Sequence, residues 1–433
     1  MFTSFQAGMI AANGLLGKSC YILLSNPNPM VPSLVETGAR LFVTKFLSHF
    51  ISTGSVILLE NGGTMFTFEG TTKKCSLKTV INVHNPHFYW KVMTAADISL
   101  ANAYINGDIS FVDKRYGLLN VLMILFANRG LISSSSIKTI IHYLCVDGHR
   151  FFFTAGLTSA KYCFKHFSRR NTHTQARRNI SRHYDLSNKL FALFMDETMA
   201  HAVFKTEDED LTDAQQRILI EKVIPYNEIL EIGCGWGGLA IEVVKRTGCK
   251  YTGITLSEEQ LKLAEKRVKE AGLQENIRFQ LCDYRQLPST YKYDRIISCE
   301  MIAAVGHEYM EDFFDCCESV LAEGGILVLQ FTSIPEKRFD EYRQSSDFIK
   351  EYIFPGGCLP ALTRVTTAMN AASRLCVEYV ENIGRHYYQT LRHWRKNFLE
   401  KQSKTNGKFI RTWEYYFDYC AAGFKSNTLG NYH

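Results

Sequence analysis

EILEIGCGWGGLAIEVVKRTG, residues 228–248, runs from five mostly apolar residues through a glycine-rich turn into an amphipathic stretch that Gly248 ends. EILEI reads as a strand buried on both faces, and the segment after the turn as a helix with a glycine stop. Glycines at 233, 235, 237 and 238 let the backbone approach a ligand at a helix N-terminus, where unpaired N–H groups gather. Strand, glycine turn and helix together form the opening unit of an α/β fold.

The same alternation continues outward. KYTGITLS (250–257), IRFQLCD (277–283), YDRIISCE (293–300) and ILVLQF (326–331) read as strands, with EEQLKLAEKRVKEAG (258–272) and EYMEDFFDCCESVLAEGG (308–325) as helices between them. Units of this length predict an α/β, doubly wound parallel sheet with its ligands at the carboxyl ends of the strands. Toward the N-terminus, SVILLE and TMFTFEG flank Glu60-Asn61-Gly62-Gly63 as a hairpin, and a helical pattern begins near Ala95. That region predicts a smaller N-terminal α+β domain. A serine cluster within 128–150 marks the linker, so domains are expected at 1–150 and 151–433.

Composition sets the outer bounds. With 433 residues, 46% hydrophobic and 21% charged, the chain is long enough for two cored domains. Its thirteen cysteines are scattered and odd in number, the pattern of a reduced, intracellular protein. Cys316 and Cys317 are adjacent rather than at zinc-ligand spacing, and no metal is expected. No signal-peptide pattern opens the chain and no run reaches the roughly 18 apolar residues of a membrane span. A net charge of +6 permits contact with an anionic lipid surface.

The glycine loop lacks the Lys-Ser/Thr of a phosphate-binding P-loop. Its spacing, G-x-G-x-G-G, also differs from the dinucleotide pattern, and the second strand ends in Thr255-Leu256-Ser257 rather than an acid. Asp283 and Tyr284, ending the third strand, suit an adenine held by one hydrogen bond and one stacked ring. These features favour S-adenosylmethionine over NAD, with Gly233, Gly235, Gly237, Thr255, Gln260, Asp283 and Tyr284 as candidate contacts. Trp236 suits packing and cofactor contact equally.

LEIGCGWGGLAIE, YTGITLSEEQ, CDYRQL, YDRIISCEM, YIFPGGCLP (352–360) and HYYQTLRHW (386–394) together resemble the cyclopropane-fatty-acyl-phospholipid synthase family, and closely resemble its plant members. The resemblance implies a Rossmann-like methyltransferase sheet and transfer of a methylene from S-adenosylmethionine to a cis double bond of a phospholipid acyl chain. It implies bicarbonate as the base, with Tyr387 and Gln330 among its holders. It further implies a cytoplasmic protein that associates with a membrane surface and forms a homodimer. No nucleic acid is expected, because the basic cluster at 164–185 comes with no recognition fold.

Four departures from the family stand out. Ala303 occupies the position of its bicarbonate-binding Glu, and Glu300, three residues earlier, is expected to point elsewhere. DETMAHAVFK (196–205) lacks the Tyr-Ser-Cys of relatives, with His201 in the shortened part. Beyond Leu429-Gly430-Asn431-Tyr432 the family's last strand is expected to be missing, leaving its neighbours unpaired, and 399–412 is shorter than in relatives. Two other readings therefore stay open: a methyltransferase on another substrate, and a paralogue that binds lipid or cofactor without chemistry.

Overall fold

The computed structural model describes residues 33–129, 175–176, 188–191, 193–194, 227–402 and 406–433. Segment 196–205 with His201, and nearly all of the basic cluster, lie outside them. The chain divides into two compact units, the first grouping the N-terminal region with Asn406–Ala422 and the second holding the rest.

In the first unit, helix α1 (Leu34–Phe50) starts at a capping box in which Ser33 and Glu36 satisfy each other's backbone donors. A four-stranded sheet follows in the order β2-β1-β3-β4, with β1 Ser55–Glu60, β2 Met65–Glu69, β3 Lys78–Val83 and β4 Ile109–Phe111. β1 is buried along its whole length, as its central place between β2 and β3 requires. The expected hairpin is there: β1 and β2 pair antiparallel from Ser55↔Glu69 to Leu59↔Met65, and Gly62 and Gly63 turn with positive φ. Helix α2 (His87–Asn106) begins eight residues before Ala95, and α3 spans Gly117–Arg129.

The expected linker thus begins inside a helix. Asn128 is fully buried, accepts from Ser52 N at 2.7 Å and Thr53 N at 3.0 Å, and donates to Thr53 O and Ile124 O, both at 2.8 Å. A polar residue that reads as loop-forming in sequence here serves as the internal partner for backbone groups no strand reaches.

The second unit carries a six-stranded sheet in the order β10-β9-β8-β5-β6-β7. Its strands are β5 Glu228–Ile232, β6 Lys250–Thr255, β7 Ile277–Leu281, β8 Tyr293–Cys299, β9 Leu321–Ser333 and β10 Gly430–Tyr432. β5 to β9 are parallel, and the order reverses between β5 and β8, which is the switch point of a doubly wound sheet. Consecutive residues explain the layers. Ile229 and Ile297 join one core with Val243, Ala264 and Phe279, while Leu230 and Ile296 join the other with Phe313, Phe314 and Val365. Helices α4 (Gly238–Thr247) and α5 (Glu258–Ala271) cover the first face; α6 (Met310–Val320) and α7 (Leu362–Ala372) cover the second. Helix α6 ends five residues short of Gly325, because β9 already begins at Leu321 and a register shift at Tyr293/Arg295 takes up the Glu-Gly-Gly bulge.

The sheet's last strand differs from expectation. β10 pairs antiparallel with β9, Gly430↔Ser333 to Tyr432↔Phe331. On its other side Ile383 N donates to Asn431 O at 2.8 Å and Glu381 N to His433 O at 2.9 Å. Three residues of final strand therefore lie between two neighbours. Helix α8 (Gly384–Lys401) follows segment 381–383 directly.

The final helix, α9 (Gly407–Lys425), was assigned from sequence to the second domain, yet residues up to Ala422 group with the first unit. Tyr104 Oη donates to Glu414 Oε2 at 3.1 Å, and Phe126 meets Tyr419 with ring centroids 5.9 Å apart.

Candidate active site

The loop after β5 is tied to β6 by two bonds, Gly233 N and Cys234 N donating to Ile254 O at 2.9 and 3.0 Å. Gly235 (φ 52) has open space where a side chain would project, so a ligand can lie against its backbone. Gly237 (φ 77) caps α4, and a Cβ there would stand 2.8 Å from Phe279 Cζ. One glycine gives access; the other allows the helix to sit on the sheet. Trp236 is buried against Phe191, with ring centroids 4.9 Å apart, which places it in packing.

The other predicted cofactor residues occupy the neighbouring strand ends. Thr255 Oγ1 donates to Gln260 Oε1 at 2.8 Å, both side chains being buried, and Ser257 caps α5 through Gln260 N. Asp283 accepts from Arg285 Nε at 2.8 Å and Nη2 at 2.6 Å, an ion pair that reading the chain did not foresee. The Tyr284 ring lies edge-on to Phe313 at 5.3 Å within the core, and burial holds its hydroxyl pKa above the ordinary value. Beneath the loop, Glu231 is fully enclosed in β5. Desolvation pushes its carboxyl up to about 8, against a hydrogen bond from Tyr251 Oη at 3.0 Å.

A second cluster forms where β8, β9, β10 and α8 converge. Tyr387 on α8 is 3% exposed and lies against Phe424, with centroids 4.7 Å apart. Gln330 Nε2 on β9 donates to Tyr387 Oη at 3.1 Å, bringing both predicted catalytic residues together. Tyr387 Oη in turn donates to Glu300 Oε1. The same carboxylate accepts from Thr332 N at 3.0 Å, Thr332 Oγ1 at 2.9 Å and Asn431 Nδ2 at 2.5 Å. Glu300 therefore belongs to this cluster, contrary to expectation. Its backbone is left-handed (φ 55), so a rule based on helical or extended geometry sends its side chain the wrong way. Burial, then the Glu300 charge, raises the Tyr387 pKa well above the ordinary tyrosine value and keeps the hydroxyl a donor.

Ala303 sits in the single helical turn Ile302–Val305, where its carbonyl accepts from Cys358 N at 2.9 Å and anchors the 354–358 loop. These residues do not fit a bicarbonate. Ala303 has no polar side chain to hold one, and Tyr387 gives its single proton to Glu300 and so has none to donate to such an ion. Asn431 and Thr332 were not foreseen, since nothing in sequence brings residue 431 to residue 300. An acid directly after the fourth strand was the one legible signal.

The two clusters adjoin. A Cβ at Gly233 would stand 3.3 Å from Cγ of Met301, the residue after Glu300.

Residues 171–433 match the family described as mycolic acid cyclopropane synthetase. The chain is 36% identical over 277 residues to the tuberculostearic acid methyltransferase UfaA1 of Mycobacterium tuberculosis, the match covering 60% of this chain and 64% of that protein. To the cyclopropane-fatty-acyl-phospholipid synthase of Escherichia coli (strain K12) it is 34% identical over 257 residues, covering 57% of this chain and 64% of the synthase. Both matches span less than two thirds of the relative's own length. Among solved structures, the mycolic acid cyclopropane synthase CmaA1 complexed with SAH and CTAB superposes with a TM-score of 0.52 at 26% identity, over 59% of this chain and 96% of that one.

Proposed function

Because the chain belongs to the mycolic acid cyclopropane synthetase family, we propose that it uses S-adenosylmethionine to convert a cis double bond in a phospholipid acyl chain into a cyclopropane ring. The observation that carries this reading is the adjacency of an open glycine loop to a buried Tyr387–Glu300–Gln330 cluster, at the switch point of a doubly wound sheet. When bound, S-adenosylmethionine supplies an electrophilic methyl carbon.

The residues fit that cofactor. The backbone at Gly235 is open, and the ends of β5, β6 and β7 converge around the loop as a nucleoside site requires. An alkene is a weak nucleophile, so the chain's task is alignment and exclusion of water. Buried Tyr387 and Gln330 keep solvent from the converging ends of β8 and β9. Aromatic faces lining such a site stabilise the cation that forms on the substrate. Closing the ring then requires a proton acceptor.

The substrate is taken from a membrane surface. No helix among the described residues is long and apolar enough to cross a membrane, and a net charge of +6 suits contact with anionic headgroups. Association as a homodimer belongs to the same proposal.

The identity to a tuberculostearic acid methyltransferase supports a second reading, in which the cation left by the same first transfer loses a proton from a neighbouring chain carbon and ends in a methyl branch that keeps a double bond. Incubating purified protein with S-adenosylmethionine and vesicles of monounsaturated phosphatidylcholine and phosphatidylglycerol, then analysing released fatty acids by mass spectrometry, separates the two. We expect a gain of one methylene with the double bond gone. A methyl-branched product would transfer the assignment to the second reading, and folded protein giving neither product would reject both.

A further inference from the structure

The cluster around Tyr387 contains its own anion. We propose that the Glu300 carboxylate takes the place of an external base, receiving through Tyr387 the proton released when the ring closes; this rests on the ring-forming reading above.

The geometry argues for it in three ways. Tyr387 Oη donates to Glu300 and accepts from Gln330 Nε2, so the hydroxyl proton is directed at the carboxylate. Gln330 stabilises the phenolic oxygen as negative charge develops on it. Glu300 is held by groups from three other elements, Tyr387 of α8, Thr332 of β9 and Asn431 of β10, in a left-handed backbone conformation that costs an L residue about 1 kcal/mol or more. A side chain that serves only as surface does not keep such strain.

The step balances without any co-reactant. One C–H bond of the transferred methyl breaks, and its electron pair forms the C–C bond that closes the ring and neutralises the cation. The proton passes to Tyr387 Oη as Tyr387's own proton moves to Glu300 Oε1. Glu300, half-buried, then returns the proton to solvent. A carbocation is a far stronger acid than a carboxylic acid, so placement of the acceptor decides the outcome.

The test compares wild type, Glu300→Gln, Glu300→Ala and Tyr387→Phe, the last keeping the ring packed on Phe424. In bicarbonate-free buffer wild type should retain full activity, and both Glu300→Gln and Tyr387→Phe should lose ring product by roughly 100-fold or more. Calorimetric binding of S-adenosylhomocysteine should stay unchanged in all four. Added formate should restore ring formation to Glu300→Ala and not to Tyr387→Phe. Independently of turnover, the 13C signal of labelled Tyr387 should shift in Glu300→Gln.

Wild-type activity that vanishes without bicarbonate and returns with it would overturn the proposal, as would full activity in Glu300→Gln. If wild type forms only a methyl-branched lipid, the ring-forming reading fails and the Tyr387 signal decides the pairing alone. A shift in Glu300→Gln then supports it and an unmoved signal refutes it.

Discussion

Glu231 illustrates how one atom's surroundings set a property of the whole chain. In the unfolded chain its carboxyl loses its proton near the ordinary value of 4.5; folded, enclosed in β5, it holds the proton up to about 8. Between those values the folded state binds more protons than the unfolded state. Stability contributed by the neutral carboxyl is therefore complete at low pH and declines as pH rises toward about 8, by at most about 1.4 kcal/mol per pH unit. Urea unfolding across this window should show that decline in wild type and a flatter profile in Glu231→Gln. An equal slope in both would assign the dependence to other groups. An acid between Leu230 and Ile232 was visible in EILEI, but its enclosure by both sheet faces was not.

At the level of elements, the glycine loop makes two separable contributions. Gly237→Ala forces a left-handed L residue and brings its Cβ to 2.8 Å from Phe279, so α4 must move off the sheet. We expect a stability loss of about 2 kcal/mol or more, read as a lower thermal midpoint. Gly235→Ala meets no atom within 4 Å and should cost only about 1 kcal/mol of stability. Its methyl instead stands in the open space beside the backbone, and calorimetry should show S-adenosylhomocysteine binding weakened more than stability. Equal effects of the two substitutions on both readouts would remove the distinction. The need for glycine was legible at both positions from the strand-to-helix turn. Which glycine has open space beside it and which meets Phe279 depends on α5 and β7, which are distant in sequence.

Across the whole molecule, the two units draw on residues far apart in the chain. Asn128 satisfies the backbone at Ser52 and Thr53 from more than seventy positions away. Asn128→Ala leaves buried donors and an acceptor unpaired and should destabilise the first unit by about 1–3 kcal/mol. S-adenosylhomocysteine binding, which we assign to the second unit, should be retained; loss of binding in well-folded variant protein would refute that assignment.

The alternation of buried strands with amphipathic helices determined the doubly wound sheet, the hairpin at Asn61-Gly62-Gly63 and the position of the glycine loop, because each is a local pattern with a fixed period or a backbone constraint. The pairing of Tyr387 with Gln330 followed from motif resemblance and is a contact in the fold. Tertiary structure alone decided the rest. Glu300 enters the cluster through a left-handed backbone that its own sequence does not announce, Asn431 arrives on β10 from the far end of the chain, and Asp283 is already engaged by Arg285. Local periodicity fixes which face of an element is buried; hydrogen bonds between elements are set by how those faces close together, and the proposed chemistry rests on such bonds.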